Sequence, residues 1–203
     1  MYKIIVFEGI DGAGKTTLID ALAGEFEKRG KKIKVDKIAP LMVKKFKEMV
    51  DEKTGIRGHY QDVIDKEFRL YSYIIESLIQ FEYKNEEYEQ YDYVIFDRWM
   101  YTNYVYLGEP VWNEKWAKEL IQKIPEPDMI FWLQIPVSEA LIRLKQKNDW
   151  MLERYEETKL ADKLDYLSGE YEKIFNAKDV YKVDATKEVN VLVKEILDIV
   201  DKV

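Results

Sequence analysis

One segment near the start of the chain constrains the fold more than any other. Two glycines separated by four residues are followed directly by lysine and threonine, the spacing of a phosphate-binding loop, in the run Gly9-Ile10-Asp11-Gly12-Ala13-Gly14-Lys15-Thr16-Thr17. An apolar run precedes this segment and an amphipathic stretch follows it, which indicates a strand, a tight turn and a helix. Glycines let successive backbone N–H groups face an anion, and the helix adds its free N–H groups and dipole. The segment therefore predicts a site for a nucleoside triphosphate.

The residue types of this loop predict separate roles. Lys15 is expected to reach the outer phosphates, and the hydroxyl of Thr16 is expected to hold Mg²⁺. The residues expected to surround the phosphates are those of the loop and of the first helical turn, namely Gly9, Gly12, Ala13, Gly14, Lys15, Thr16 and Thr17.

Length and charge exclude several classes of protein. The 203 residues, 39 acidic and 32 basic with a formal charge of −7, suit one α/β domain over residues 1–203. An acidic chain is not a general nucleic-acid binder, so we expect no nucleic-acid polymer as a partner and only a local basic pocket for anions. There is no cysteine, which excludes disulfides, thiolate metal sites and a cysteine nucleophile. With no signal peptide and no apolar run of about 18 residues, the sequence predicts a cytoplasmic location and no membrane partner.

Hydrophobic periodicity predicts strands that alternate with helices. The strands are predicted at 3–7, 33–35, 93–96, 129–135 and 180–183. The helices are predicted at 16–29, from 40 onward, and at 62–83, 100–107, 114–123, 137–147, 159–175 and from 187, with a mobile loop at 51–60. This alternation indicates an α/β fold of the three-layer P-loop NTPase type: a parallel sheet of about five strands covered by helices on both faces. Ligands of such sheets lie at the carboxyl ends of the strands.

The third predicted strand ends in an acid followed by a cation, Asp97-Arg98. The planar guanidinium of Arg98 suits a second anionic substrate, because it can bind a phosphate through two parallel hydrogen bonds. A structural ion pair at the strand end is the competing interpretation. A switch GTPase would usually carry Asn-Lys-x-Asp, which is absent, and a transport ATPase would usually place a second acid after the aspartate. These features favour a small-molecule kinase.

At this point the chain resembles the thymidylate kinase family. The resemblance rests on five blocks in the family's order, which are the phosphate loop from Phe7 to Thr17, Asp97-Arg98-Trp99 with Thr102-Asn103 and Tyr106, Pro127-Asp128 with Ala140-Leu141-x-Arg143, Glu153-Arg154-Tyr155-Glu156, and Val183-Asp184-Ala185-Thr186. It implies transfer of a phosphoryl group from ATP to dTMP with Mg²⁺, by a homodimer whose partners are nucleotides.

The resemblance also implies roles for individual residues on the acceptor side. Asp11 would act near Mg²⁺ and the substrate sugar, and would share the metal with Thr16. Asp97 and Arg98 would bind the acceptor, Arg98 at its phosphate. Three further side chains would contact the nucleoside, with Asn103 at the base, Tyr106 against the sugar and Tyr71 stacked on thymine.

On the donor side, the resemblance implies a short lid at about residues 146–158. In family members with glycine at the position of Gly12, the lid supplies the catalytic arginine, so Arg154 is the first candidate and Arg143, which would also bind the donor, is the second. The expected catalytic groups are then Lys15, Arg98, Arg154 and Asp11.

The chain also departs from the family pattern. Lys37-Ile38-Ala39-Pro40-Leu41 replaces the usual Arg-Glu-Pro-Gly-Gly, Ile75 falls where an arginine usually reads the pyrimidine, and Gln134 stands where an acid often closes the strand. Two alternatives follow from these departures and from the acids around Arg154. One is a kinase for another nucleoside monophosphate or for a deoxynucleoside, the latter using Asp97 or Glu8 as base. The other is a nucleotide-binding protein without catalysis.

Overall fold

Five short strands pair in parallel and form one sheet. The computed structural model describes residues 2–38, 41–108 and 115–203. The strands are β1 (Lys3–Glu8), β2 (Ile33–Asp36), β3 (Tyr93–Asp97), β4 (Met129–Gln134) and β5 (Tyr181–Asp184), in the spatial order β2-β3-β1-β4-β5. Strand β1 is central, with Ile5 opposite Ile95 on one side and opposite Met129 on the other. The segment before the phosphate loop is therefore covered on every side and reads as a continuous apolar run.

Helices connect these strands and flank the sheet. Their bounds are α1 (Lys15–Lys28), α2 (Leu41–Thr54), α3 (Tyr60–Val63), α4 (Lys66–Tyr88), α5 (Met100–Leu107), α6 (Lys115–Ile121), α7 (Val137–Gln146), α8 (Met151–Arg154), α9 (Glu157–Phe175) and α10 (Val189–Val200). None of the helices in the described ranges is both long enough and apolar enough to cross a bilayer.

The strand order places the helices on both faces of the sheet. The connection from β1 to β2 crosses the sheet in one direction, and the later connections between strands cross it in the other. Because such crossovers are right-handed, α1 lies on one face, and the helices that follow β2, β3 and β4 lie on the opposite face. Helix α10 returns to the first face and packs on α1. The predicted three-layer α/β fold with a five-stranded parallel sheet is confirmed.

The sequence prediction was wrong in detail on either side of α3. Residues 51–60 were expected to form a loop, but Asp51–Thr54 is the last turn of α2, and a short helix begins at Tyr60. Helix α4 starts at Lys66 rather than residue 62, because the carboxylate of Asp65 caps it by accepting from the N–H of Glu67 at 2.8 Å. The expected helix starts at Pro40 and Glu114 lie outside the described residues.

Candidate active site

The phosphate loop leaves the end of β1 and needs glycine where it touches other elements. At Gly12, φ is +83° and an added Cβ would lie 2.6 Å from the carbonyl oxygen of Ala140. At Gly9, φ is +144° and an added Cβ would lie 2.7 Å from the carbonyl oxygen of Leu133. A side chain would be strained at either position and would also collide with backbone atoms. The loop is therefore fixed between β4 and α7, with its N–H groups ahead of α1.

Lys15 is buried beneath this loop. Its Nζ donates to the carbonyl oxygens of Gly9 and Ile10, both at 2.9 Å, and the residue is only 6% exposed. Burial, followed by repulsion from Arg98, lowers the pKa of Lys15 to about 7. The ammonium thus lacks enough negative charge nearby, and a phosphate would supply it.

Asp97 faces the start of α1, and only one of its carboxylate oxygens is hydrogen-bonded within the described ranges. Its Oδ2 accepts from Thr16 Oγ1 at 3.3 Å and lies 3.7 Å from Nζ of Lys37. Its Oδ1 is buried with no hydrogen-bond partner among the described residues. A buried, unpaired carboxylate oxygen beside a threonine hydroxyl is a set of hard oxygen donors, which Mg²⁺ prefers. Thr16 and Asp97 therefore fit the expected metal.

Arg98 shares an acceptor with Lys15. Its Nη1 donates to the carbonyl oxygen of Gly9 at 3.1 Å, the same atom that Lys15 Nζ contacts at 2.9 Å. Two cationic groups from different elements thus meet at one carbonyl of the loop. The backbone of Arg98 has φ +77°, a strained conformation for a residue with a side chain. Such strain is typical of functional sites that the surrounding structure holds in place.

A hydrogen-bonded cluster joins Arg98 to two residues predicted to contact the substrate sugar. Its Nη2 lies 2.5 Å from Oδ1 of Asp11, and Oδ2 of Asp11 accepts from the hydroxyl of Tyr106 at 2.5 Å. Burial alone would raise the pKa of Asp11, but the charges of Arg98 and Lys15 outweigh it and hold that pKa below its ordinary value. Asp11 is therefore ionised, and both of its oxygens are occupied in the free protein.

Three neighbouring cavities share residues of this site. The loop cavity, about 160 Å³, is lined by Asp11, Lys15, Thr16, Asp97 and Arg98. The α7 cavity, about 400 Å³, lies between the loop, α7 and α10, and it shares Gly12, Gly14 and Lys147 with the loop cavity. The α4 cavity, about 390 Å³, lies between α2, α4 and α5, and it shares Lys37 and Arg98 with the loop cavity. The small cavity thus lies between two that are large enough for nucleosides.

The α7 cavity collects the remaining residues predicted to bind the donor. Ala13 and Thr17 line it, and so does Arg143. Arg143 Nη2 donates to the carbonyl oxygen of Ala185 at 3.0 Å, and its Nε donates to Glu139 at 3.1 Å. The guanidinium of Arg143 is thereby fixed against the loop that follows β5.

The α4 cavity is lined by Asn103, one of the residues predicted to contact the base, but not by Tyr71, the aromatic residue predicted to stack on it. Tyr73 and Ser77 of α4 line it, together with Tyr60. Tyr71 is not among its lining residues; its ring stacks on Trp116, with centroids 3.8 Å apart, at a position 36% exposed. Two residues along an α-helix rotate the side-chain direction by about 200° around the helix axis, so Tyr71 and Tyr73 lie on different faces of α4. A difference of two residues in the alignment therefore changes which tyrosine is expected at the base.

The structure does not bring Arg154 to the phosphate loop. Its Nη2 lies 2.9 and 2.8 Å from the two carboxylate oxygens of Asp62 on α3, and its Nε donates to the hydroxyl of Tyr155 at 3.0 Å. Nearby, an added Cβ at Gly58 would lie 2.7 Å from the ring of Trp150. Trp150 and Arg154 are thus packed against α3 and the segment before it, and neither residue lines the loop cavity.

Several side chains of the site were missed by sequence reasoning. Lys147, at the start of the expected lid, lines two of the three cavities. Tyr171 of α9 contacts Arg98, and nothing in the sequence near it marks that role. Glu8, considered only as a base, is fully buried behind Arg98. Long-range packing brings Tyr171 to the site, so a local motif could not reveal it. Glu8 adjoins the loop in sequence, but its contacts with Trp99, Thr102 and Tyr171 are also long-range.

The fold and this site define a P-loop protein in which two larger cavities adjoin the loop cavity. The family model for thymidylate kinase matches residues 7–196. A probable thymidylate kinase 1 of Saccharolobus solfataricus is 28% identical over 203 residues, covering 100% of this chain and 98% of that protein. A thymidylate kinase of Leptospira interrogans is 30% identical over 208 residues, covering 96% of this chain and 92% of that protein. The same name is carried by a protein of Thermosipho melanesiensis that is 27% identical, with 97% and 96% covered.

The chain belongs to the thymidylate kinase family. It is therefore a nucleoside monophosphate kinase, and the resemblance seen in the sequence is confirmed.

Lys15 generates a testable pH dependence of nucleotide binding. With a pKa of about 7 in the free protein, Lys15 is mostly neutral in mildly alkaline buffer, and a bound triphosphate must draw a proton onto it. Affinity should therefore fall by about tenfold per pH unit above about pH 7.5, where the phosphates themselves are already ionised.

Isothermal titration calorimetry in buffers of different ionisation enthalpy would count the protons taken up. Lys15→Met is the control, and its weaker binding should not vary with pH. A constant wild-type affinity from about pH 7.5 to about pH 9 would contradict a neutral Lys15.

Proposed function

We propose that this protein transfers the γ-phosphoryl group of ATP to dTMP, with Mg²⁺, and releases ADP and dTDP. The single observation that carries the proposal is that Lys15 and Arg98 both donate to the carbonyl oxygen of Gly9. The donor and acceptor phosphates would then meet in the loop cavity. The α7 cavity would hold the adenosine end of ATP, and the α4 cavity would hold the nucleoside of the acceptor.

The residues of the loop cavity suit direct phosphoryl transfer. An oxygen of the acceptor phosphate, already anionic, forms a bond to the γ-phosphorus while the bond to the β–γ bridging oxygen breaks, so no strong base is needed. Lys15 would bind the outer donor phosphates, and Arg98 would exchange part of its contact with Asp11 for the acceptor phosphate. Lys37 and Lys147 line the same cavity and add positive charge. Preorganised charge of this kind supplies most of the stabilisation of such a transition state.

The metal would be held by Thr16 and Asp97. The Thr16 hydroxyl donates to one oxygen of Asp97, and the other oxygen has no hydrogen-bond partner in the part of the chain that the structure describes. When bound, Mg²⁺ supplies positive charge that neutralises the donor phosphates. Asp11 remains the second candidate ligand, although Arg98 and Tyr106 occupy both of its oxygens in the free protein.

A panel of acceptors tests the proposed reaction. ATP would be supplied with each of the common nucleoside monophosphates and with the parent deoxynucleosides, and ADP release would be followed by a coupled assay. We expect dTMP to have the highest kcat/KM and the deoxynucleosides to be inactive. A deoxynucleoside would need a base. Of the two predicted bases, Glu8 is fully buried and already hydrogen-bonded, and Asp97 is the residue to which we assign the metal. Absence of dTMP turnover would reject the proposal.

We propose Tyr73 as the aromatic ring that stacks on the acceptor base. Tyr73 lines the α4 cavity, whereas Tyr71 packs on Trp116 outside it. Burial raises the pKa of Tyr73, so its ring stays neutral. On this assignment the residue one helical turn further is Ser77, not Ile75, and the hydroxyl of Ser77 donates to the carbonyl oxygen of Tyr73 at 2.5 Å.

The two tyrosines form a matched pair of variants. Stacking of a base on an aromatic ring contributes about 1–3 kcal/mol, so Tyr73→Ala should raise the KM for dTMP by roughly 5- to 150-fold. Tyr71→Ala should leave that KM within about twofold, since loss of a contact with Trp116 does not reach the cavity. Steady-state kinetics at saturating ATP would measure both. The opposite result would restore the register predicted from the sequence.

We propose that residues 146–158 form a lid and that Arg154 becomes catalytic when the lid closes over ATP. In the free protein Arg154 is held by Asp62, so closure would have to break that ion pair. The lid already contributes Lys147 to the loop cavity, which supports its approach to the phosphates.

Arg154→Ala should then lower kcat by 10²–10³, about 2.7–4 kcal/mol, the typical loss when one charge-stabilising donor is removed. Arg29→Ala is the control: it removes another arginine–aspartate ion pair, with Asp201 at 2.9 Å, and neither of these residues lines the three cavities. If both variants had the same small effect on kcat, the ion pair between Arg154 and Asp62 would have only a structural role.

We propose that the protein is a homodimer built on α4. The exposed apolar side chains of α4 recur every three or four residues and form one stripe, made of Phe68, Tyr71, Ile75, Ile79 and Tyr83. A stripe of this length on a helix marks an interaction surface, and two copies can pair it about a two-fold axis.

Ile79, 61% exposed, lies within the stripe, and Ile142, 48% exposed, lies on α7 outside it. Ile79→Glu should give a monomer in sedimentation equilibrium, because two carboxylates would be buried against each other. Wild type and Ile142→Glu should have twice the mass of the chain. A monomeric wild type would refute the dimer.

A further inference from the structure

A buried glutamate lies directly behind the acceptor arginine. Glu8 is fully buried, and its carboxylate accepts four hydrogen bonds. The donors are the N–H groups of Trp99 and Thr102, at 2.8 and 3.2 Å, and the hydroxyls of Thr102 and Tyr171, at 2.7 and 2.8 Å. Burying a carboxylate this deeply is costly unless it is fully hydrogen-bonded. Stability alone does not explain a carboxylate at this position, and the phosphoryl transfer does not use Glu8 directly.

Two hydroxyls connect this carboxylate to Arg98. The oxygens of Thr102 and Tyr171 each accept from Nη1 of Arg98 at 3.2 Å, and each lies within hydrogen-bond distance of Oε2 of Glu8. A hydroxyl has one proton and two lone pairs. Once its proton is donated toward Glu8, only lone pairs remain for the guanidinium. The carboxylate therefore orients these hydroxyls as acceptors for Arg98.

The same carboxylate also fixes the backbone around Arg98. The strained φ of +77° at Arg98 turns the chain from β3 into α5. Glu8 Oε1 accepts from the next N–H, that of Trp99, and from the N–H of Thr102, so it caps the start of α5. A negative charge at a helix N-terminus is stabilising. One carboxylate thus holds both the main chain and, through two hydroxyls, the guanidinium.

We propose that Glu8 and Tyr171 are positioning residues that hold the Arg98 guanidinium where it binds the acceptor phosphate. The inference rests on the proposed function of Arg98. Tyr171 comes from α9, the helix that follows the lid, and it fixes a side chain that belongs to the turn after β3. Without it, Nη1 would lose one of its three acceptors and the guanidinium would gain freedom that substrate binding must then remove.

The test compares two tyrosine-to-phenylalanine variants. Tyr171→Phe deletes one acceptor of Arg98 while it keeps the buried ring. The control is Tyr88→Phe. Tyr88 is also buried, and its hydroxyl also donates to a carboxylate, that of Asp36 at 2.9 Å. Neither Tyr88 nor Asp36 lines any of the three cavities. Tyr171→Phe should raise the KM for dTMP roughly tenfold, the usual effect of one hydrogen bond to a charged group. Its KM for ATP should change by less than about twofold.

A purely structural role would not separate the two KM values. Tyr88→Phe should lower the melting temperature but leave both KM values unchanged, and Glu8→Gln should move the KM for dTMP in the same direction as Tyr171→Phe. An unchanged KM for dTMP in Tyr171→Phe would overturn the proposal.

A second measurement is independent of the acceptor. NMR relaxation of the Arg98 Nε–Hε group in the free protein should show a rigid side chain in wild type and a more mobile one in Tyr171→Phe. Equal mobility would overturn the positioning role even if the enzyme preferred another acceptor. Absence of dTMP turnover in wild type, with the mobility difference present, would instead reject only the proposed function.

Discussion

The site depends on the meeting of two cations at one carbonyl group. Lys15, from the start of α1, and Arg98, from the end of β3, both donate to the carbonyl oxygen of Gly9. They repel each other, and burial with this repulsion lowers the pKa of Lys15 to about 7. The acidic side chains of Asp11, Asp97 and Glu8 offset part of this repulsion. The loop can approach β4 and α7 closely because Gly9 and Gly12 have no side chains. A phosphate would relieve the remaining excess of positive charge, so the free protein is already prepared for its ligand.

The rest of the fold can be understood as support for this pair. Parallel pairing of β3 with β1 brings the end of one strand beside the loop that leaves the other. Asp11 and Asp97 line the loop cavity together with the two cations, and Glu8 is linked to the guanidinium through the hydroxyls of Thr102 and Tyr171. This arrangement lowers the stability of the fold in two places. The backbone at Arg98 is strained, and the carboxylate of Glu8 is fully buried. Stability alone would favour apolar residues at such positions, which marks them as part of the function.

Local signals were enough to predict the phosphate loop and the alternation of strands with helices, because each depends on neighbours in sequence. The expectation that Asp97-Arg98 and the loop share one edge of the sheet followed from that alternation, since parallel strands end on the same side. The face of α4 could not be fixed in this way. Its apolar residues include both a core face and an exposed stripe, so periodicity accepted Tyr71 where the structure places Tyr73 at the cavity. Tyr171 was missed for a different reason, since only the packing of α9 against α5 brings it to Arg98. The position of Arg154 depends on Asp62, more than ninety residues earlier in the chain.

A structure with a bisubstrate analogue, adenosine and thymidine joined through a chain of phosphates, would show whether both cations bind one phosphate chain. We expect the phosphate chain to run through the loop cavity, with donor phosphates on Lys15 and the acceptor phosphate on Arg98. A chain that contacts only one of these two cations, or a thymidine outside the α4 cavity, would contradict it.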